Sequence, residues 1–124
     1  MSKKTIWTGR VISWLVGLFV LTSGLNLMFI RSSDLREGFA KFGYAESAMT
    51  PIGIAAFGAS LLYLIPRTSI LGAILLTGYL GGAVATHTRI NDPSLIAPLV
   101  VGMLAWLGLW LRIEALRSLL PLRH

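Results

Sequence analysis

The chain predicts an all-α fold, an integral membrane four-helix bundle with a short amphipathic helix in its first outer loop. Two observations carry that reading. Four apolar runs, Val11–Ile30, Met49–Ile65, Ser69–Thr86 and Leu95–Leu111, hold no acidic or basic side chain. Each approaches the roughly 20 residues that cross a hydrocarbon core about 30 Å thick. The second observation is composition: 124 residues that are 55% hydrophobic and 13% charged, against about 25% charged in soluble domains. A soluble helix of such length would carry one polar face, whereas these runs are apolar nearly all round. The spans fall at about 11–30, 49–65, 69–88 and 94–111 of a single transmembrane domain covering 1–124.

The first run follows Lys3, Lys4 and Arg10, a pattern that a secretory signal shares. It is longer than the roughly 7–15 residues of a signal core and no A-x-A-like cleavage site follows it, so it reads as a retained helix. Between the first two runs, Asp34 and Glu37 stand at capping-box spacing, and Leu35, Phe39 and Phe42 recur at helical intervals before Gly43. That pattern predicts a short amphipathic helix on the outer leaflet with its apolar face down. Pro66, Arg67 and Thr68 form a tight turn between the second and third spans, with proline ending the helix before it. Asn91, Asp92 and Pro93 make an equally tight turn before the fourth. Connections this short make neighbouring spans antiparallel.

An even number of spans puts both termini on one side. Lys3, Lys4, Arg10, Arg67, Arg112, Arg117 and Arg123 lie there, against Arg31, Arg36, Lys41 and Arg89 opposite. The positive-inside rule makes the termini cytoplasmic. The net charge of +6 then reads as a match for anionic lipid headgroups rather than for nucleic acid, because the basic residues sit between or beyond the spans. With no cysteine, disulfides, thiolate metal sites and thiol exchange are excluded.

In lipid, helices associate through close packing at small residues. On the third span Gly78, Gly82 and Ala85 share one stripe with Arg89, and Gly78 and Gly82 form a GxxxG pair. Contact inside the bundle is the simpler expectation for this stripe; homo-oligomerisation is the other. His87 falls on the opposite face, near the outer end. It shares the outer side with Asn26 (flanked by Thr22 and Ser23), with Arg89 and Asp92, and with Asp34, Glu37 and Tyr44 of the loop. Polar groups at membrane depth are functional candidates. His87, Asn26, Tyr79 and Arg89 therefore form the expected ligand site, a pocket between the first and third spans under the amphipathic loop.

No acid lies inside a span, so a carboxylate proton relay or ion path has no basis. The chain offers no catalytic constellation, metal-ligand spacing or phosphate loop. Bis-histidine haem would need two internal histidines and the chain has one, so haem and metal are disfavoured. A quinone headgroup is the least demanding ligand, since it asks only for an apolar slot with one or two polar groups. Trp7 and Trp110 fall where an aromatic belt would anchor the terminal end.

The stretch LIPRTSILGAILLTGYLGGAVATH, from Leu64 to His87, closely resembles the signature of the DoxX-like family of small four-helix bacterial membrane proteins. Ser23–Gly24, Phe42–Gly43–Tyr44, Gly53 and Leu111–Arg112 add weaker agreement, and the resemblance covers essentially the whole chain. It implies a multi-pass protein of the bacterial inner membrane. The family's name comes from a subunit associated with thiosulfate:quinone oxidoreduction; some relatives join membrane redox or oxidative-stress assemblies, and others look like assembly factors. The family pattern also implies a lysine where Asn26–Leu27–Met28 stands and an acid in Gly53–Ile54–Ala55–Ala56, so this chain departs from it.

Taken together, the expected role is a non-catalytic subunit or scaffold in the lipid bilayer, attached to a redox partner or to further copies of itself. The alternative is a quinone-interacting oxidoreductase component with its site near the outer leaflet. A transporter or channel is least favoured, because no intramembrane charge or broken helix pair marks a path.

Overall fold

In hydrocarbon an unpaired backbone N–H or C=O is too costly to leave, so an apolar segment that crosses must satisfy its own backbone as helix. The computed structural model describes residues 2–120 and 122, and the runs are helical throughout. The elements are α1 Lys3–Leu25, α2 Ser33–Lys41, α3 Met49–Leu64, α4 Ser69–Arg89, α5 Ile96–Arg112 and α6 Glu114–Arg117. Single 3-10 turns at Glu46–Ala48, Pro66–Thr68 and Pro93–Leu95 lead into α3, α4 and α5. With these turns and the continuation of α1 to Ile30, four helices of 28, 19, 24 and 20 residues are long and apolar enough to cross a membrane.

Boundaries follow local chemistry. The first helix starts at Lys3, well before the apolar run, because the Ser2 hydroxyl accepts from the Thr5 N–H at 3.2 Å and caps it. Proline ends α3 as expected: Ile65 is extended before Pro66, and the Thr68 hydroxyl donates to the Leu62 carbonyl at 2.8 Å. The cap of α2 differs from the expectation. Ser32, not Asp34, receives the Leu35 N–H, at 3.4 Å. Gly43 does stop the turn, at φ +84°, where an L side chain would be strained.

In the ring of four spans, α1 packs on α3 and α5, and α4 closes the ring against the same two helices, leaving α1 and α4 diagonal. Met49, Tyr63, Leu76 and Leu109 are fully buried between them. The outer surface is apolar as well, with Leu15, Phe19, Ile74 and Met103 more than half exposed. An exterior as apolar as the core is the signature of a protein whose solvent is lipid. This is a small multi-pass membrane protein.

Close helix approach is made by glycines other than those of the expected stripe. A Cβ on Gly24 would meet the Gly53 carbonyl oxygen at 2.9 Å, and one on Gly53 would meet the Gly24 oxygen at the same distance. A Cβ on Gly9 would meet the Gly108 oxygen at 2.6 Å, and one on Gly72 would run into the Tyr63 backbone. A Cβ on Gly78 or Gly82 would meet nothing within 4 Å, and Ala85 is exposed. Gly78 and Gly82 thus make none of the close backbone contacts that join the other spans.

The antiparallel run of the spans gathers Lys3, Lys4, Arg10, Arg67, Arg112 and Arg117 at one end, the terminal end, and Arg31, Arg36, Lys41 and Arg89 at the other, the loop end. Arg123 lies outside the described residues.

Candidate functional site

At the loop end α1 changes its winding. Asn26–Ile30 form a π turn, closed by the Arg31 N–H on the Asn26 carbonyl at 2.7 Å, and Arg31 takes a left-handed φ of 49°. Such turns concentrate at functional sites because they re-aim the side chains of a helix. Arg31 anchors the end of the turn, its Nε donating to the Leu27 carbonyl at 3.3 Å and its guanidinium bonding the Thr50 hydroxyl of α3.

A cavity of about 350 Å³ lies beside this turn, between α1 and α4 and beneath α2. Ser23, Asn26 and Leu27 come from α1 and its π turn, Leu35 and Phe39 from α2, Phe42 and Tyr44 from the turn after it, and Ile52 from α3. The α4 wall is Tyr79, Gly82, Ala83, Thr86 and His87. Three of the four expected ligand residues, Asn26, Tyr79 and His87, therefore border one space. Arg89 does not line it; its guanidinium bonds the Phe42 carbonyl and clamps the roof. Gly82 and His87, on different faces of a helical wheel, both border this cavity.

The apolar face of α2 turns onto this cavity through Leu35 and Phe39 rather than lying on lipid alone. Four contacts hold the roof down besides Arg89's. Lys41 pairs with Asp92 at 3.4 Å, the Tyr44 and Thr86 hydroxyls bond at 2.8 Å, Phe42 meets the His87 ring edge-on at 4.7 Å, and Phe39 rests on Tyr44. The Asp92 carboxyl is held below its ordinary pKa chiefly by the Ser94 backbone N–H at 2.9 Å, with the Lys41 ammonium adding to it.

The hydrogen-bonding inventory of the wall leans toward acceptors. The buried Asn26 Oδ1 has no partner among the described residues. Ser23 spends its proton on the Phe19 carbonyl at 2.9 Å. Thr86 spends its own on the Gly82 carbonyl at 2.9 Å, so the Tyr44 hydroxyl must donate to Thr86, leaving its own lone pairs free. His87 Nδ1 lies 2.7 Å from the Ala83 carbonyl; a carbonyl only accepts, so Nδ1 carries a proton, and in that neutral tautomer Nε2 would be the acceptor. The Asn26 amide nitrogen and the Tyr79 hydroxyl supply the donors.

Thr86 and the aromatic roof residues were not singled out as ligand groups in the sequence. The available signal was weak: Thr86 adjoins His87, and Phe39 and Phe42 look like any amphipathic face. The π turn that aims Asn26 has no sequence signature.

Fold and cavity together define a class: a four-span helical membrane protein with a ligand-sized pocket at one end of its bundle, bordered by aromatic, apolar and acceptor groups. The model of the DoxX-like family matches residues 11–108, and the chain belongs to that family. Among the curated proteins and among the solved structures, none matches it.

Proposed function

We propose that this protein is a membrane subunit that holds the hydroxylated ring of a lipid-soluble quinol in the cavity under α2, on behalf of a redox partner. One observation carries the reading: Asn26 lines the cavity, and its buried Oδ1 has no hydrogen-bond donor among the described residues. An orphaned buried acceptor costs about 1–3 kcal/mol, and a ring hydroxyl entering the cavity would relieve that cost. Ser23, Tyr44 and His87 add further acceptors beside it. Leu27, Leu35, Phe39 and Phe42 supply the apolar and aromatic contact a ring needs. The quinol would supply two-electron redox chemistry; the chain's own residues bind the ring, orient it and shield it beneath the roof. The excess of basic residues at the terminal end favours cytoplasmic termini, which would set the cavity in the outer leaflet of a bacterial inner membrane.

The test is equilibrium binding of a short-chain benzoquinol and its benzoquinone to the detergent-solubilised protein. Saturable binding is expected, tighter for the quinol, with Asn26→Leu weakening quinol binding about tenfold. Absence of saturable binding by either form, or unchanged affinity in Asn26→Leu, would reject the site.

A second reading, assembly with a partner helix, rests on glycines of α4 that no other helix approaches closely among the described residues. Gly78, Gly81 and Gly82 leave open space beside α4, into which another backbone would pack closely. The two readings are compatible, since a subunit that holds a quinol needs a surface for the partner that uses it.

A further inference from the structure

The terminal end of the bundle carries a second cavity, of about 290 Å³, remote from the first and built from different chemistry. Trp7, Arg10, Ser13 and Trp14 of α1, Tyr63 of α3 and Arg112 at the end of α5 line it. Two of these are guanidinium groups, and no carboxylate among the described residues lines the cavity. Among the described residues the ion pairs are Arg36–Glu46 and Lys41–Asp92, both at the loop end, so Arg10 and Arg112 converge without an acid to neutralise either. Placing two like charges on one cavity is unfavourable unless an anion joins them.

The rest of the wall orients the pair. Arg112 Nε donates to the Ser13 hydroxyl at 3.3 Å, and Ser13 lies 3.1 Å from the hydroxyl of the fully buried Tyr63. Tyr63 in turn donates to the Ala105 carbonyl at 2.6 Å. This chain fixes one face of the Arg112 guanidinium and leaves its terminal nitrogens for a ligand. Arg10 lies over the Trp7 ring with its Cζ 5.3 Å from the centroid, and Trp7 meets Trp14 edge-on at 5.9 Å. Cation–π stacking holds a guanidinium by its flat face and leaves its N–H edge free.

We propose that the Arg10–Arg112 cavity binds a phosphate group through the two guanidinium forks. Arginine forks match phosphate oxygens in pairs, and tryptophans at the end of a span mark the depth at which lipid phosphates lie. The shared chemistry is a phosphate anion, carried either by the headgroup of an anionic lipid or free in solution. Nothing in this inference depends on the cavity under α2.

Native mass spectrometry of the purified protein in neutral detergent tests it, with phosphatidylglycerol, phosphatidylcholine or inorganic phosphate added in separate arms. One strongly retained phosphatidylglycerol with weak inorganic phosphate binding identifies the lipid as the source. Comparable retention of inorganic phosphate identifies the free anion. Arg10→Gln should weaken whichever phosphate ligand binds about fivefold, and Arg112→Gln by at least as much. Arg10 is exposed and outside the Ser13–Tyr63 chain, so its variant reports on binding even if Arg112→Gln fails to fold. The exposed turn residue Arg67 is the control for general charge attraction. Retention unchanged in Arg10→Gln, or reduced no more than in Arg67→Gln, would overturn the proposal, as would failure to retain either phosphatidylglycerol or inorganic phosphate.

Discussion

Tyr63 and Asn26 show how differently one polar side chain can be used at membrane depth. Tyr63 has no exposed surface, and its hydroxyl is satisfied by Ala105 of α5 and Ser13 of α1. It therefore ties three helices together where the hydrophobic effect cannot. Removing that hydroxyl should cost stability with little change of shape. Tyr63→Phe is expected to lower the free energy of unfolding by about 1 kcal/mol, measured by reversible denaturation in mixed micelles; an unchanged midpoint would show that the bonds contribute nothing net. Asn26 presents the opposite case, with a buried acceptor left unmet in a cavity wall. A polar group kept at membrane depth without a protein partner is better explained by a ligand than by packing.

At the scale of the helices, packing is set by where backbones touch. Gly24 and Gly53 bring α1 and α3 into direct contact, in the region where the family pattern implies a lysine and an acid. Met28 closes over Gly53 there. Gly24→Leu or Gly53→Leu should abolish the folded monomer or lower its thermal midpoint sharply, because each would meet the other's backbone oxygen, which cannot swing aside. Gly78→Leu combined with Gly82→Leu should leave the midpoint nearly unchanged and reduce recovery of oligomer or partner. A midpoint lost in both sets of variants would contradict the assignment of the two glycine groups. In the sequence Gly78 and Gly82 stand at GxxxG spacing, whereas Gly24 and Gly53 lie on different spans and form no packing pattern. A helix that is apolar all round carries no stripe to show which face turns inward. The roof helix was more legible, because Leu35, Phe39 and Phe42 alternate with charges. Its cap was misread, since Ser32 and Asp34 both suit that role.

For the molecule as a whole, the spans and the tight turns could be read from the chain because hydrocarbon permits few solutions. Apolar length fixed the helices, and Pro66 and Pro93 fixed where they turn. The sequence suggests a pocket between the first and third spans under the loop for Asn26, Tyr79 and His87, but not which helix faces meet. Their convergence depends on a π turn and on α1 and α4 lying diagonally, neither of which leaves a pattern in the residues. The result is a bundle whose middle is tightly packed and whose two ends are hollow, one lined by aromatic and acceptor groups and one by paired arginines. The central proposal is that the hollow under α2 receives a hydroxylated ring. The most direct measurement is photolabelling in native membranes with a quinol carrying a photoreactive group on its ring, followed by peptide mapping. Labelling confined to Ser23–Leu27, Phe39–Tyr44 and Tyr79–His87, and competed by unlabelled quinol, is the predicted result. Labelling spread over lipid-facing positions such as Leu15 and Met103, undiminished by competitor, would contradict it.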